Sequence, residues 1–174
     1  HPSLQSVVDA NKEGRVTAIV DATHHIWRRS DRPWLAGPMQ PRIFGPYEAI
    51  RRDYAITEYL DDLAGCGIVK SVYVQTNWAK EHFEDETAWV QRTAEETGWP
   101  HALVAYADVT VDDVRPQLDR LKHYSLLRGV RMQLHWHDNP LYRFAARADL
   151  CAAPVIRRNV AHLADYGLSF DLQV

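Results

Sequence analysis

The sequence predicts an α/β fold in which parallel strands, each followed by a helix, curve towards a barrel wall. Two observations predict it. Strand-like and helix-like segments alternate along the chain with connections too long for hairpins, which implies right-handed βαβ units. Polar side chains also recur at every second position near the carboxyl ends of several strands, which suits the lining of a closed barrel better than a flat sheet covered on both faces.

The elements follow in order. Residues 17–21, Thr-Ala-Ile-Val-Asp, form a β-branched run after a turn at Gly14 and give the first strand. Residues 26–52 hold Trp27, an Arg-Arg-Ser-Asp-Arg run, Trp34 and four prolines with little periodicity. They read as a long βα loop, the kind that builds sites at strand carboxyl ends. Residues 53–66 place Ile56, Tyr59, Leu60 and Leu63 on one helical face, with Gly67 as the stop. Residues 71–75 give the second strand, and residues 84–97, with Trp89, Val90 and Ala94, a helix ended by Gly98. Residues 102–107 are the third strand. The helix over 112–123 carries Val114, Leu118 and Leu121, and Thr110 with Asp113 three residues on reads as its capping box. Residues 129–134 form the fourth strand, residues 154–166 a helix ended by Gly167, and residues 168–174 the fifth strand.

Composition sets the outer limits. With 46% hydrophobic and 25% charged residues, the 174 residues are expected to form one domain, 1–174, that excludes disorder and fibrous repeats. Twenty Lys and Arg against 23 Asp and Glu give a net charge of -3, so no basic field points to nucleic acid or an anionic membrane. A small-molecule or protein partner is the default, with a small-molecule substrate and a homo-oligomer as the expectations. The apolar runs are strand-sized, far below the roughly 20 residues of a membrane span, and no signal-peptide pattern is present. Cys66 and Cys151 lack CxxC spacing and are expected to be buried, reduced thiols in a cytoplasmic protein. The chain opens on His1 and stops at Val174 inside an alternating apolar run, so its ends read as cut.

Strand periodicity supplies the candidate site. In the fourth strand, Arg131, Gln133, His135 and His137 share a side, opposite Val130, Met132, Leu134 and Trp136. The same alternation groups Ser71, Tyr73, Gln75 and Asn77 in the second strand, Ser169, Asp171 and Gln173 in the last, and Asp21, Thr23 and His25 in the first, with His24 turned away. These rows are expected to converge on one concave polar site. A buried Arg131–Asp171 ion pair is the plain alternative, but it leaves the histidines unexplained. The Arg131 guanidinium fork suits anchoring of a substrate carboxylate or lactone oxygen. Gln75, Asn77, Asp171 and Gln173 suit hydrogen bonds to substrate. His135 and His137, spaced i and i+2, fit a metal site with His25, the hydroxyls of a sugar ring, or a solvated loop. Trp27, Trp34 and Trp78 are expected as apolar walls, and Trp136 beneath the helices.

Asp21-Ala-Thr-His-His25-Ile-Trp27 and Arg32-Pro-Trp-Leu35 resemble the opening of the amidohydrolase superfamily of TIM-barrel hydrolases, in particular the lactonase-like branch with sugar-lactone and pyrone-dicarboxylate lactone hydrolases. Arg52-Asp-Tyr, Val72-Tyr-Val-Gln75, the run from Gly129 to His137 with Asn139-Pro-Leu-Tyr142, and Phe170-Asp-Leu-Gln173 agree in order. The resemblance implies a (β/α)8 TIM barrel, of which this chain supplies the first five strands and four helices, since a full barrel takes about 250 residues. It also implies a hydrolase that opens a sugar lactone or related carboxylated cyclic ester by attack of an activated water on the carbonyl. In that reading His25 and Arg131 are the catalytic residues, and His25 holds the carbonyl or the water. A divalent metal, zinc or manganese, is implied with His25 as a ligand. However, Thr23 stands where the family has the first histidine of its pair, which weakens the clamp. The later ligands and the general-base Asp are expected beyond Val174. A metal-dependent decarboxylase of the same superfamily and a non-catalytic degenerate barrel are the alternatives.

Overall fold

A computed structural model describes residues 18–42 and 44–173; the predicted Gly14 turn, Thr17 and Val174 lie outside them. The strands are β1 (Ile19–His24), β2 (Ile68–Val74), β3 (Ala102–Tyr106), β4 (Leu127–Gln133) and β5 (Ser169–Gln173). They form one sheet in the order β1-β2-β3-β4-β5, and every pair is parallel. A doubly wound sheet reverses its order at a switch point, whereas an unbroken order belongs to a barrel wall. The sheet curls as part of a (β/α)8 barrel, as predicted. The helices are a one-turn α1 (Pro33–Ala36) inside the first loop, then α2 (Ile56–Asp62), α3 (Phe83–Thr97), α4 (Arg115–Leu121) and α5 (Pro154–His162). Pro33 presets the first turn of α1.

Two helix ends differ from expectation. Helix α2 stops at Asp62, and a turn carries the chain on to Gly67, whose φ is +71°. Thr110 does not cap α4. Its N–H and hydroxyl both donate to Asp108 Oδ1, and the helix starts only at Arg115. The buried loop backbone there needs partners from inside the protein. Asn159 of α5 supplies them, accepting from the Val114 N–H and donating to the carbonyls of Val109 and Val111. Gly98 ends α3 as predicted, at φ +79°.

Strand register decides which row faces the lumen. Ala105, Val130 and Phe170 align across β3, β4 and β5. They pack towards the helices with Leu118, Leu121 and Ile156, and each fully buried Leu contributes roughly 1.5–3 kcal/mol. Tyr106, Arg131 and Asp171 align on the opposite, lumenal side, as predicted for β4 and β5. In β2 the expectation is reversed. Tyr73 pairs with Leu103 and joins the core beside Ile56 and Tyr59, so Ser71, Tyr73 and Gln75 face the helices and Val72 and Val74 face the lumen. Alternation groups residues by face without saying which face is inward. The polar row survives under the helices because partners wait there: Glu86 for Tyr73 and His24 for Ser71.

β1 corrects a second expectation. Asp21 pairs with Ser71 and His24 with Tyr73, three residues against two, so a bulge at 22–23 interrupts the alternation. Asp21 therefore sits on the helix side, where it accepts a 2.8 Å bond from the Tyr59 hydroxyl, with His24 beside it. Gly129 leaves room for its β5 partner Ser169, because a Cβ there would meet the Ser169 hydroxyl and, at 3.0 Å, the Ser169 carbonyl oxygen. Cys66 is exposed and Cys151 partly buried, which corrects the expectation of two buried thiols. No described helix is long and apolar enough to cross a membrane.

His24 gives the fold a pH dependence. Its ring lies 4.1 Å from that of Tyr59, and burial, opposed in part by Asp21, lowers its pKa to about 4. The unfolded chain takes up this proton below about pH 6.5 while the folded chain stays neutral. Stability is therefore lost as pH falls from about 6.5 to 4, by roughly 3 kcal/mol. Urea unfolding at pH 7 and pH 4.5 measures the loss, and His24→Gln should remove most of it. An unchanged slope in that variant would remove His24 as its source.

Candidate active site

Two continuous cavities open at the carboxyl ends of the strands, one of about 390 Å³ and one of about 860 Å³. Trp34, Phe44, Asn77, Gln133 and Gln173 line both. The smaller also takes His25, Trp27, Arg32, Thr76 and Arg131. The larger takes Tyr106, His135, Trp136, His137 and Trp78. The long first βα loop thus walls the site, as its position after β1 predicts.

His25 sits just past β1. Its Nδ1 is 2.8 Å from the Val74 carbonyl, and because a carbonyl only accepts, Nδ1 carries the proton and Nε2 keeps a lone pair. Burial lowers its pKa despite that bond, and the positive charge of Arg131 lowers it further, so the imidazole is neutral at physiological pH. Arg131 donates through Nη2 to the Gln75 carbonyl, and its Nε is buried without a partner among the described residues. Burial lowers the guanidinium pKa, with Asp171 acting in the opposite sense. Arg131 and Asp171 stand in register, but no ion pair joins them among the described residues, so the plain alternative from the sequence does not form.

The other predicted residues fall in three groups. Trp27, Asn77, Gln133 and Gln173 line the site, and Asn77, at φ +58°, donates from Nδ2 to Gln133 Oε1 at 3.0 Å. Gln75 lines neither cavity. It is fully buried, and its Oε1 accepts from the Asn77 N–H at 2.7 Å, holding that turn from beneath. Asp171 also lines neither cavity. His135 and His137 line the larger cavity while His25 lines the smaller, so the proposed three-histidine site is not assembled. Trp136 lines the larger cavity too, which corrects its placement beneath the helices.

The described residues do not by themselves fit a divalent metal. Among them no three His, Cys, Asp or Glu side chains converge. Thr23 is exposed, and its hydroxyl donates to the carbonyl of Ala22. His25 remains as one imidazole donor.

Sequence reasoning missed a buried ion pair in the wall of the smaller cavity. Arg32 is fully buried, and its Nη2 lies 3.4 Å from Oε1 of Glu86, itself 2% exposed. The same Oε1 accepts from the Tyr73 hydroxyl at 2.7 Å and the Thr76 N–H at 2.9 Å. The Arg32 guanidinium lies 4.4 Å from the Trp78 ring. One signal was available. Glu86 falls on the apolar stripe of α3 with Phe83, Val90 and Thr93, and a carboxylate there needs a cation.

A partial barrel with helices outside and cavities at its strand ends defines a class of fold: the (β/α)8 proteins. The chain belongs to the amidohydrolase family, whose sequence profile matches residues 20–174. It is 33% identical over 159 residues to an uncharacterized protein, y4mH, of Sinorhizobium fredii, covering 90% of this chain and 54% of that one. Its fold resembles a crystal structure of a zinc-bound amidohydrolase from Burkholderia multivorans, with a TM-score of 0.64, 24% identity, and coverage of 91% of this chain and 49% of that one. It also resembles a probable 2-pyrone-4,6-dicarboxylic acid hydrolase from Acinetobacter baumannii, crystallised with citric acid. There the TM-score is 0.58 and the identity 13%, with coverage of 90% and 49%. The chain spans about half the length of the relatives it matches.

Proposed function

We propose that the chain forms the substrate-anchoring part of a hydrolase that opens a sugar lactone or related carboxylated cyclic ester. The observation that carries this reading is the pairing of a neutral imidazole and a partly unpartnered guanidinium in one small cavity. Arg131, always charged, binds the carboxylate or the lactone oxygen through the donors that the Gln75 carbonyl leaves free. His25 Nε2 accepts a hydrogen bond from the water that attacks the carbonyl carbon, and the Val74 carbonyl fixes the tautomer that leaves this lone pair available. Asn77, Gln133 and Gln173 bond to ring hydroxyls or the ring oxygen. Family membership and the fold shared with a probable pyrone-dicarboxylic acid hydrolase support the reading.

The test is hydrolysis of a panel of sugar and carboxylated lactones by the full protein, with and without zinc or manganese. Ring opening without release of carbon dioxide is the expected result. Carbon dioxide release from an aromatic acid would favour the decarboxylase instead, and no turnover on any substrate would favour a binding-only barrel. His25→Ala should lower kcat at least about tenfold, roughly 1.4 kcal/mol. A normal kcat in that variant would return His25 to a core role.

A further inference from the structure

The larger cavity is more than twice the size of the one that holds His25 and Arg131, and its chemistry differs. Seven of its lining residues are Trp, Tyr or Phe, with Trp34, Trp78 and Trp136 among them, beside the charged Arg42, Lys80 and Glu81. Three buried polar atoms on its lining residues have no partner among the described residues: Arg42 Nε, the Tyr106 hydroxyl and His135 Nδ1. Tyr106 is 9% exposed and lies on the lumenal side, in register with Arg131. A buried hydroxyl left without a partner costs of the order of 1–3 kcal/mol, so such a group is best explained by a partner that arrives. Burial raises the phenol pKa, with Asp108 adding to it, so the group stays protonated and donates. The Asn77–Gln133 hydrogen bond stands where the two cavities meet, since both residues line both.

We infer that the larger cavity is a second binding compartment that takes an aromatic portion of the ligand carrying a hydrogen-bond acceptor, received by the Tyr106 hydroxyl. The ligand then lies across the Asn77–Gln133 sill, with its anionic, reacting end beside Arg131 and its ring among the tryptophans. Flat indole faces stack on aromatic rings and contribute beyond simple burial. The inference extends the proposed hydrolase by assigning the rest of its substrate, yet binding in this compartment needs no turnover.

The tryptophans supply the readout. Titration of the full protein with acetophenone, which is not hydrolysable and whose carbonyl is its one acceptor, should quench tryptophan fluorescence saturably. Its analogue ethylbenzene, which has no acceptor, should bind at least about fivefold more weakly, the effect of one neutral hydrogen bond. Tyr106→Phe should abolish that preference while keeping the fold, and Trp136→Ala should weaken both probes. His25→Ala, expected to slow ring opening, should leave probe binding unchanged, so failure of hydrolysis and failure of the compartment are read separately. Non-saturable quenching, or equal affinity for the two probes in the unmodified protein, would overturn the inference.

Discussion

Replacing Arg32 with alanine is expected to lower the unfolding free energy by about 3–5 kcal/mol, the cost of leaving a buried carboxylate without its cation. Glu86 Oε1 would keep the Tyr73 hydroxyl and the Thr76 N–H, but its charge would face a dry interior. The pair ties three elements together: the first βα loop through Arg32, the end of β2 through Thr76, and the first turn of α3 through Glu86. Trp34 follows, because its Nε1 donates to the Thr76 carbonyl at 3.1 Å. Chemical denaturation measures the loss. The double variant Arg32→Ala with Glu86→Leu should recover a substantial part, since it removes the stranded charge along with its partner. A single-variant loss below about 1 kcal/mol would mean that water reaches Glu86 and solvates it.

Arg131→Ala is expected to cut kcat/KM on carboxylated lactones at least about tenfold, roughly 1.4 kcal/mol, without unfolding the protein. The side chain lies in the lumen, away from the hydrophobic core beneath the helices, and its one bond goes to a main-chain oxygen. The loss should be concentrated on substrates that bear a carboxylate, and Arg131→Lys should restore it only in part because an ammonium lacks the fork. Comparing kinetics on a carboxylated lactone and its neutral analogue separates anchoring from general damage. Equal losses on the two would contradict the anchoring role.

Much of the fold was legible because βα alternation is a coarse, chain-long signal. Five strands, the four helices between them and the site-building loop all fall near their predicted places. The site was legible where a polar residue sits on a strand whose apolar face is unmistakable, as in β4, where Val130, Met132 and Leu134 fix Arg131 and Gln133 on the lumenal side. It was illegible in β2, where both faces are plausible and the choice depends on Glu86, a residue from another element. The bulge in β1 also left no mark, because an extra residue changes the register without changing the composition. Helix ends failed where a long-range partner replaced a local one, as Asn159 replaced the Thr110 cap.

Gly129 gives the site a calibration. Arg131 and Gln133 follow it at two and four residues on β4, and Asp171 and Gln173 follow Ser169 at the same intervals on β5. Whatever separates Gly129 from Ser169 therefore sets the gap across which those two pairs of side chains face each other. A methyl group at this position would press on the Ser169 hydroxyl and carbonyl, so the pairing that carries these residues would have to give by a few tenths of an ångström. The placement of Arg131, Gln133 and Gln173 thus rests on a glycine that lines neither cavity itself.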